Sequence, residues 1–142
     1  WLWPNIDAGS DDVSKGLRTF REKERLNNIQ FYRNFAVEDY ARILNNASCI
    51  IGNSSSAIRE GAFLGVPAVN IGTRQLGREH GVNVCHASYD SGDIYNSVQR
   101  QLKHGKYPLS DMFGNGHAGE RIVEVLSKCD LNIKKRLHYS CD

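Results

Sequence analysis

Residues 49–81 constrain the fold more than any other stretch. Cys49-Ile50-Ile51 is a short apolar run, Gly52-Asn53 is turn chemistry, three serines open a segment with helical spacing, and Gly65-Val66-Pro67 closes it before a second apolar run. The order is strand, helix, strand, with strands expected over 49–51 and 68–71 and a helix over 55–64. Ser54 or Ser55 stands where an N-cap belongs, so unpaired backbone N–H groups, small hydroxyls and the positive end of the helix dipole converge on one point. That point favours a phosphate.

The flanking sequence continues the alternation. Trp1-Leu2-Trp3-Pro4 reads as the end of a strand, and because residue 1 is Trp the sequence is expected to be a fragment of a longer protein. A helix follows with Val13, Leu17 and Phe20 or Arg21 at helical spacing, its solvated end being the charged run 21–25. Residues 29–35 read as a strand and loop, and Glu38-Asp39 starts a short helix through Tyr40, Ile43 and Leu44 that Asn45-Asn46 stops. Beyond the glycine-bearing loop 72–81 come a strand over 82–85, a helix over 90–103 and a loop over 108–115. The last helix opens at Gly116-His117-Ala118, with Ile122, Val123, Val125 and Leu126 on one apolar face. The tail from residue 131, with Lys134-Lys135-Arg136, carries no pattern and is expected to be solvated. There is no internal repeat and no low-complexity linker.

Strands alternating with helices predict an α/β fold, a Rossmann-like parallel sheet with right-handed crossovers and helices on both faces. With 142 residues, 40% hydrophobic and 24% charged, the chain is large enough to bury a core as one soluble domain. Ligands of such sheets sit outside the carboxyl ends of the strands, which selects loops 5–10, 34–39, 52–56 and 72–81.

Composition excludes several classes. The net charge of +2 arises from 18 basic and 16 acidic residues that are interspersed, so no basic face for nucleic acid is expected. No apolar run approaches the roughly 20 residues that span a bilayer, and no signal peptide is present, so a cytoplasmic protein is expected. Cysteines at 49, 85, 129 and 141 are too far apart for a metal or redox pair, and Cys49 and Cys85, in apolar strand-like runs, read as buried thiols. Histidines at 80, 86, 104, 117 and 138 show no ligand spacing, so neither a metal site nor a cofactor is expected.

Within the selected loops, Ser54 and Ser55 either hold a phosphate or diphosphate or simply cap the helix; the glycine-rich phosphate-binding fingerprints are absent. Glu60 lies four residues after Ser56, on nearly the same face of a regular helix and about 6 Å further along its axis. There a carboxylate can accept two hydrogen bonds from a vicinal diol, or it is an ordinary surface residue. Arg74 follows residues 69–72 and is either a surface arginine or a phosphate ligand, its forked donors suiting phosphate oxygens; the density of Gly72, Gly77 and Gly81, which allow close backbone approach, favours a binding loop. Tyr40, on the first turn of the short helix, either stacks on a base or packs in the core.

These residues carry a resemblance. Gly52-Asn53-Ser54-Ser55-Ser56-Ala57-Ile58-Arg59-Glu60, then Val69-Asn70-Ile71-Gly72-Thr73-Arg74-Gln75 and Gly77-Arg78-Glu79, resemble the carboxyl-terminal half of UDP-N-acetylglucosamine 2-epimerases, most closely the hydrolysing branch that feeds sialic and related nonulosonic acid synthesis. Residues 4–10 and 113–118 fall where that family has similar stretches, so the resemblance covers residues 1 to about 130 and leaves 131–142 as a tail. It implies the second lobe of a two-lobed fold like that of the B-type glycosyltransferases, with UDP held mainly by this lobe.

By the same resemblance Ser54 and Ser55 hold the diphosphate, Glu60 the ribose hydroxyls and Arg74 a phosphate. Tyr40 and the backbone at Phe35 flank the uracil, and Asn5 lines the cleft. The implied reaction eliminates UDP across C1 and C2 of the sugar and adds water to the resulting glycal, releasing N-acetylmannosamine. Its proton-transfer groups lie in the family upstream of residue 1, so no catalytic residue is assigned here. His80, His86 and His117 do not match the family's histidine motif. The expected partners are UDP and a UDP-N-acetylhexosamine, with no nucleic acid and no membrane, and truncation is expected to expose surface that favours a homo-oligomer. An epimerase acting on a UDP-2,4-diacetamido-trideoxy sugar, a B-type glycosyltransferase lobe and a plain nucleotide-binding module are the alternatives.

Overall fold

The computed structural model describes residues 1–4, 10–24 and 28–130. The chain divides into two compact units, Trp1–Ala47 and Ser48–Asp142. The expectations for Asn5 and for the tail from residue 131 lie outside the described residues.

The first unit holds helices α1 (Ser10–Lys23) and α2 (Val37–Asn46). Asp11 and Asp12 in the first turn of α1 and Arg21 and Lys23 in its last complement the helix dipole. Of the apolar stripe expected on α1, Leu17 is buried, while Val13 and Phe20 remain exposed. The strands expected at residues 1–4 and 29–35 reduce to one parallel bridge between Leu2 and Tyr32. Two backbone bonds hold it, Trp3 N–H to Tyr32 O at 2.9 Å and Tyr32 N–H to Trp1 O at 2.8 Å. Two bonds fix a pairing but are too few to propagate a ladder.

The second unit is the predicted α/β layer structure. Strands β1 (Ile50–Gly52), β2 (Ala68–Ile71) and β3 (Val84–Ala87) form a parallel sheet in that order, with β2 central. Ile50 pairs with Ala68 and Ala68 with Val84, so these three share one face; there they pack with Ala57 and Ile58 of the serine segment. Helix α4 (Ser91–His104) covers the other face, where Arg100 reaches the Cys85 sulfur at 3.8 Å. Helices on both faces of a parallel sheet make the fold Rossmann-like.

Two expectations are corrected here. The helix expected over 55–64 is a single 3-10 turn, Ser55–Ala57, followed after two residues by the four-residue helix α3 (Glu60–Phe63). Its serine run competes with the helical pattern, since the Ser54 hydroxyl takes the Ser56 N–H, and Gly61 lies within the short α-helical turn. The strand expected over 82–85 is observed as Val84–Ala87, two residues later. Its sheet bonding begins at Asn83, whose carbonyl accepts from Ala68 N–H at 2.8 Å and whose buried amide donates to Ala57 O at 3.2 Å and Val66 O at 2.9 Å, while Val82 before it is exposed. Helix α5 (Ala118–Lys128) forms as expected, and the Ile122, Val123, Val125 and Leu126 side chains are exposed.

Helix ends follow their local chemistry. After α3, Gly65 at φ 64° accepts the left-handed position, with Gly65 N–H on Ala62 O at 3.1 Å and Val66 N–H on Gly61 O at 2.8 Å. Pro67 then prevents any further helical turn. Helix α4 is capped by Asp90, whose carboxylate accepts from Asp93 N–H at 2.9 Å.

Candidate functional site

Because the three strands are parallel, their carboxyl ends lie on one edge, and the connections 53–56, 72–81 and 88–90 leave from it. The serine turn comes first. Ser54 is extended at φ −75°, ψ 140°, and caps the 3-10 turn through its hydroxyl, which accepts from Ser56 N–H at 3.3 Å. Ser54 is exposed and Ser55 half-buried at the sheet edge, and of the two N-cap candidates Ser54 takes the position.

Arg74 lies in the second of these loops and is exposed. The residue that places it is Gln75, 2% exposed, whose amide donates to Asn53 O at 2.8 Å. One buried side chain therefore joins the arginine loop to the serine turn. Gly72 turns the chain out of β2 at φ 73°, and a Cβ there would run into the Tyr89 ring. Thr73 N–H is 3.4 Å from the Tyr89 hydroxyl, and hydrogen bonds from Thr73 hold that phenol below its usual range. Loops 53–56, 72–81 and 88–90 are thus mutually braced.

Glu60 is exposed at the first residue of α3. The 6 Å offset along one regular helix does not carry over, since a 3-10 turn and two intervening residues separate it from the serine cap. In the first unit, Phe35 is half-buried, its ring 4.7 Å from that of Tyr32 and its N–H on the Asn34 side chain at 2.9 Å. Tyr40 is half-buried on the first turn of α2. Asn5 lies outside the described residues.

Sequence reasoning missed the buried amides Asn70, Gln75 and Asn83, and it missed a histidine pair. His86 of β3 is in register with Asn70 of β2, which is in register with Gly52 of β1. The Asn70 amide nitrogen lies 2.9 Å from His86 Nδ1, and His86 Nε2 lies 3.2 Å from His80 Nε2. Burial, and secondarily the neighbouring His80, lowers the His86 pKa from its ordinary value. The strand register Asn70–His86 was the available signal, but it depends on knowing that β3 starts at Val84.

The second unit is thus an α/β protein of the Rossmann-like class whose braced serine turn and arginine loop stand at the edge where such sheets bind ligands. Comparison with known proteins narrows this class. The sequence model of the family described as UDP-N-acetylglucosamine 2-epimerase matches residues 2–127. The chain is 29% identical over 129 residues to UDP-N-acetylglucosamine 2-epimerase of Neisseria meningitidis serogroup B, covering 89% of this chain and 33% of that protein. It is 26% identical over 131 residues to UDP-N,N'-diacetylbacillosamine 2-epimerase (hydrolyzing) of Legionella pneumophila, covering 92% of this chain and 34% of that protein. It is 31% identical over 98 residues to polysialic acid biosynthesis protein P7 of Escherichia coli, covering 69% of this chain and 24% of that protein. The chain belongs to the UDP-N-acetylglucosamine 2-epimerase family. It spans about a third of the length of the first two of these curated relatives.

Proposed function

We propose that residues 1–130 are the UDP-binding carboxyl-terminal lobe of a hydrolysing UDP-N-acetylglucosamine 2-epimerase, which converts UDP-N-acetylglucosamine and water to N-acetylmannosamine and UDP. The observation that carries this reading is the Gln75 to Asn53 bond, which fixes the arginine loop against the serine turn at the carboxyl edge of the sheet. In this reading Ser54 and Ser55 hold the diphosphate and Arg74 a phosphate oxygen. Glu60 accepts from the ribose hydroxyls, Phe35 and Tyr40 flank the uracil, and Asn5 lines the cleft. Departure of UDP places negative charge on the diphosphate, and fixed donors stabilise charge as it develops without reorganising. The groups that move protons belong to the rest of the enzyme, so the isolated chain binds UDP and turns nothing over.

The enzyme is proposed to be cytoplasmic and homo-oligomeric; among the described residues no helix is long and apolar enough to cross a membrane. Calorimetric titration of UDP into the folded chain tests the nucleotide site, and absence of binding overturns it. Release of N-acetylmannosamine by the isolated chain would overturn the division of labour. A second reading, with a diacetamido sugar as substrate, is favoured by the Legionella pneumophila relative named for diacetylbacillosamine. Assaying both UDP-sugars on the full-length enzyme separates the two.

A further inference from the structure

The histidine pair at the sheet edge lies outside the roles assigned to UDP, and its hydrogen bonds restrict where its protons can be. His80 Nδ1 lies 3.1 Å from Gly81 O. A carbonyl only accepts, so Nδ1 carries the proton and Nε2 of neutral His80 presents a lone pair. For His86 there are two consistent arrangements. With the Asn70 amide nitrogen on His86 Nδ1, the proton of His86 is on Nε2 and points to His80, and the Asn70 oxygen, on a residue 1% exposed, is left buried with no partner. With the amide turned over, Asn70 Oδ1 accepts from His86 Nδ1–H, and the two Nε2 lone pairs face each other at 3.2 Å. Two lone pairs at that distance need a cation between or beside them.

The second arrangement has the features of a metal site. Two nitrogens each about 2.0–2.1 Å from a tetrahedral zinc ion lie roughly 3.3 Å apart, close to the observed separation. The ring centroids are 4.9 Å apart with planes inclined at 71°, so the rings are edge to face and leave room for an ion at their shared rim. Each outer nitrogen donates to an oxygen, Gly81 O in one case and Asn70 Oδ1 in the other, the pattern that orients imidazoles on a metal. Both histidines are half-buried, so further coordination positions open to solvent. Among the described residues no group of three or more His, Cys, Asp or Glu side chains converges, so the protein supplies two ligands and water the rest.

We propose that His80 and His86 form a two-imidazole site for a zinc-type divalent transition-metal ion, with Asn70 as the positioning residue that selects the His86 tautomer. On binding, the His86 proton moves from Nε2 to Nδ1 and no proton is released from the neutral pair. The ion would clip loop 72–81 to β3. Histidine spacing hid the site, because residues 80 and 86 are brought together by the turn into β3 and not by one helix.

The test is calorimetric titration of Zn²⁺ into the whole chain in a non-chelating buffer, without nucleotide. One ion per chain is expected, with His80→Ala and His86→Ala each weakening binding more than about tenfold and Asn70→Leu weakening it less. Nitrogen-15 NMR of the wild-type imidazoles is the second measurement, and it holds even where His86→Ala fails to fold. Zinc must shift His86 from the Nε2–H to the Nδ1–H tautomer. Absence of one-to-one uptake, retention of affinity in His80→Ala, or an unchanged His86 tautomer each overturns the proposal.

Discussion

Gln75 donates its side-chain amide to the backbone carbonyl of Asn53 at 2.8 Å, from a position 2% exposed. The bond spans 22 residues and joins the loops that carry Arg74 and Ser54. Removing it uncouples those loops and vacates a filled site, so Gln75→Ala is expected to lower stability by about 1–3 kcal/mol. It is also expected to weaken UDP binding. Gln101 is the control. It is equally buried but donates to Ala68 O and Asn83 O beneath α4, away from the site loops. Gln101→Ala should destabilise comparably and leave UDP affinity unchanged, measured by urea denaturation and calorimetry on the same samples. Equal UDP affinity in both variants would show that the bond does not organise the site.

The turn from α3 into β2 is set by Gly65. Its φ of 64° is costly for any residue with a Cβ, and that Cβ would also meet the backbone carbonyl of Tyr107. The approach is fixed from the other side, since Tyr107 N–H donates to Gly65 O at 2.8 Å and Ser110 N–H to Ala62 O at 3.1 Å. Gly105, at φ 74°, has open space where its Cβ would go. Its ψ of −160° puts it in the positive-φ extended region that essentially only glycine adopts, so Gly105→Ala is expected to lose that backbone preference alone, about 1–3 kcal/mol. Gly65→Ala should lose clearly more, as read from chemical denaturation midpoints. Equal losses would mean that segment 107–110 moves aside without consequence.

Arg74 bears on the proposed chemistry. If it stabilises charge on departing UDP, then Arg74→Ala in the full-length enzyme lowers turnover at least about tenfold. Lys103→Ala, on the exposed last turn of α4, leaves it unchanged. Steady-state kinetics with UDP-N-acetylglucosamine decide. Equal effects would remove Arg74 from leaving-group stabilisation.

Much of the second unit was legible because its signals are local. Apolar runs marked β1 and β2, Gly65 and Pro67 marked the end of the intervening segment, and Ser54, one of two N-cap candidates, caps the turn that follows. The 3-10 turn was not legible, because a serine run can satisfy backbone donors through side chains or through a regular helix with the same composition. Nor were Gln75, Asn83 and Gln101. Amide side chains buried to bridge separate backbones follow no hydrophobic period, and their partners are 22, 26 and 33 residues away. In the first unit, apolar residues such as Tyr32 suggested a strand, but a single bridge formed, since pairing depends on a partner segment and not on propensity alone. Helix α5 was legible from the period of Ile122, Val123, Val125 and Leu126, which says nothing of what covers that face.

Asp93 gives the start of α4 a pH dependence. Its carboxylate accepts from Ser88 N–H at 2.7 Å, and this bond, then the Ser88 hydroxyl and more weakly Arg100, holds its pKa below the ordinary carboxylate range. A group whose pKa is depressed on folding contributes stability above its unfolded value and loses it as the pH falls through the folded value. The loop 88–90 that Asp93 anchors also carries Tyr89, which braces Thr73 beside the candidate site. Asp93→Asn is therefore expected to destabilise the protein at neutral pH, with the deficit shrinking only as the pH falls below the ordinary carboxylate range and through the lowered folded value, where the Asp93 carboxyl takes up its proton. Urea denaturation of the two proteins across that range checks it. A deficit independent of pH would assign the effect to lost packing and not to the charged hydrogen bond between Asp93 and Ser88.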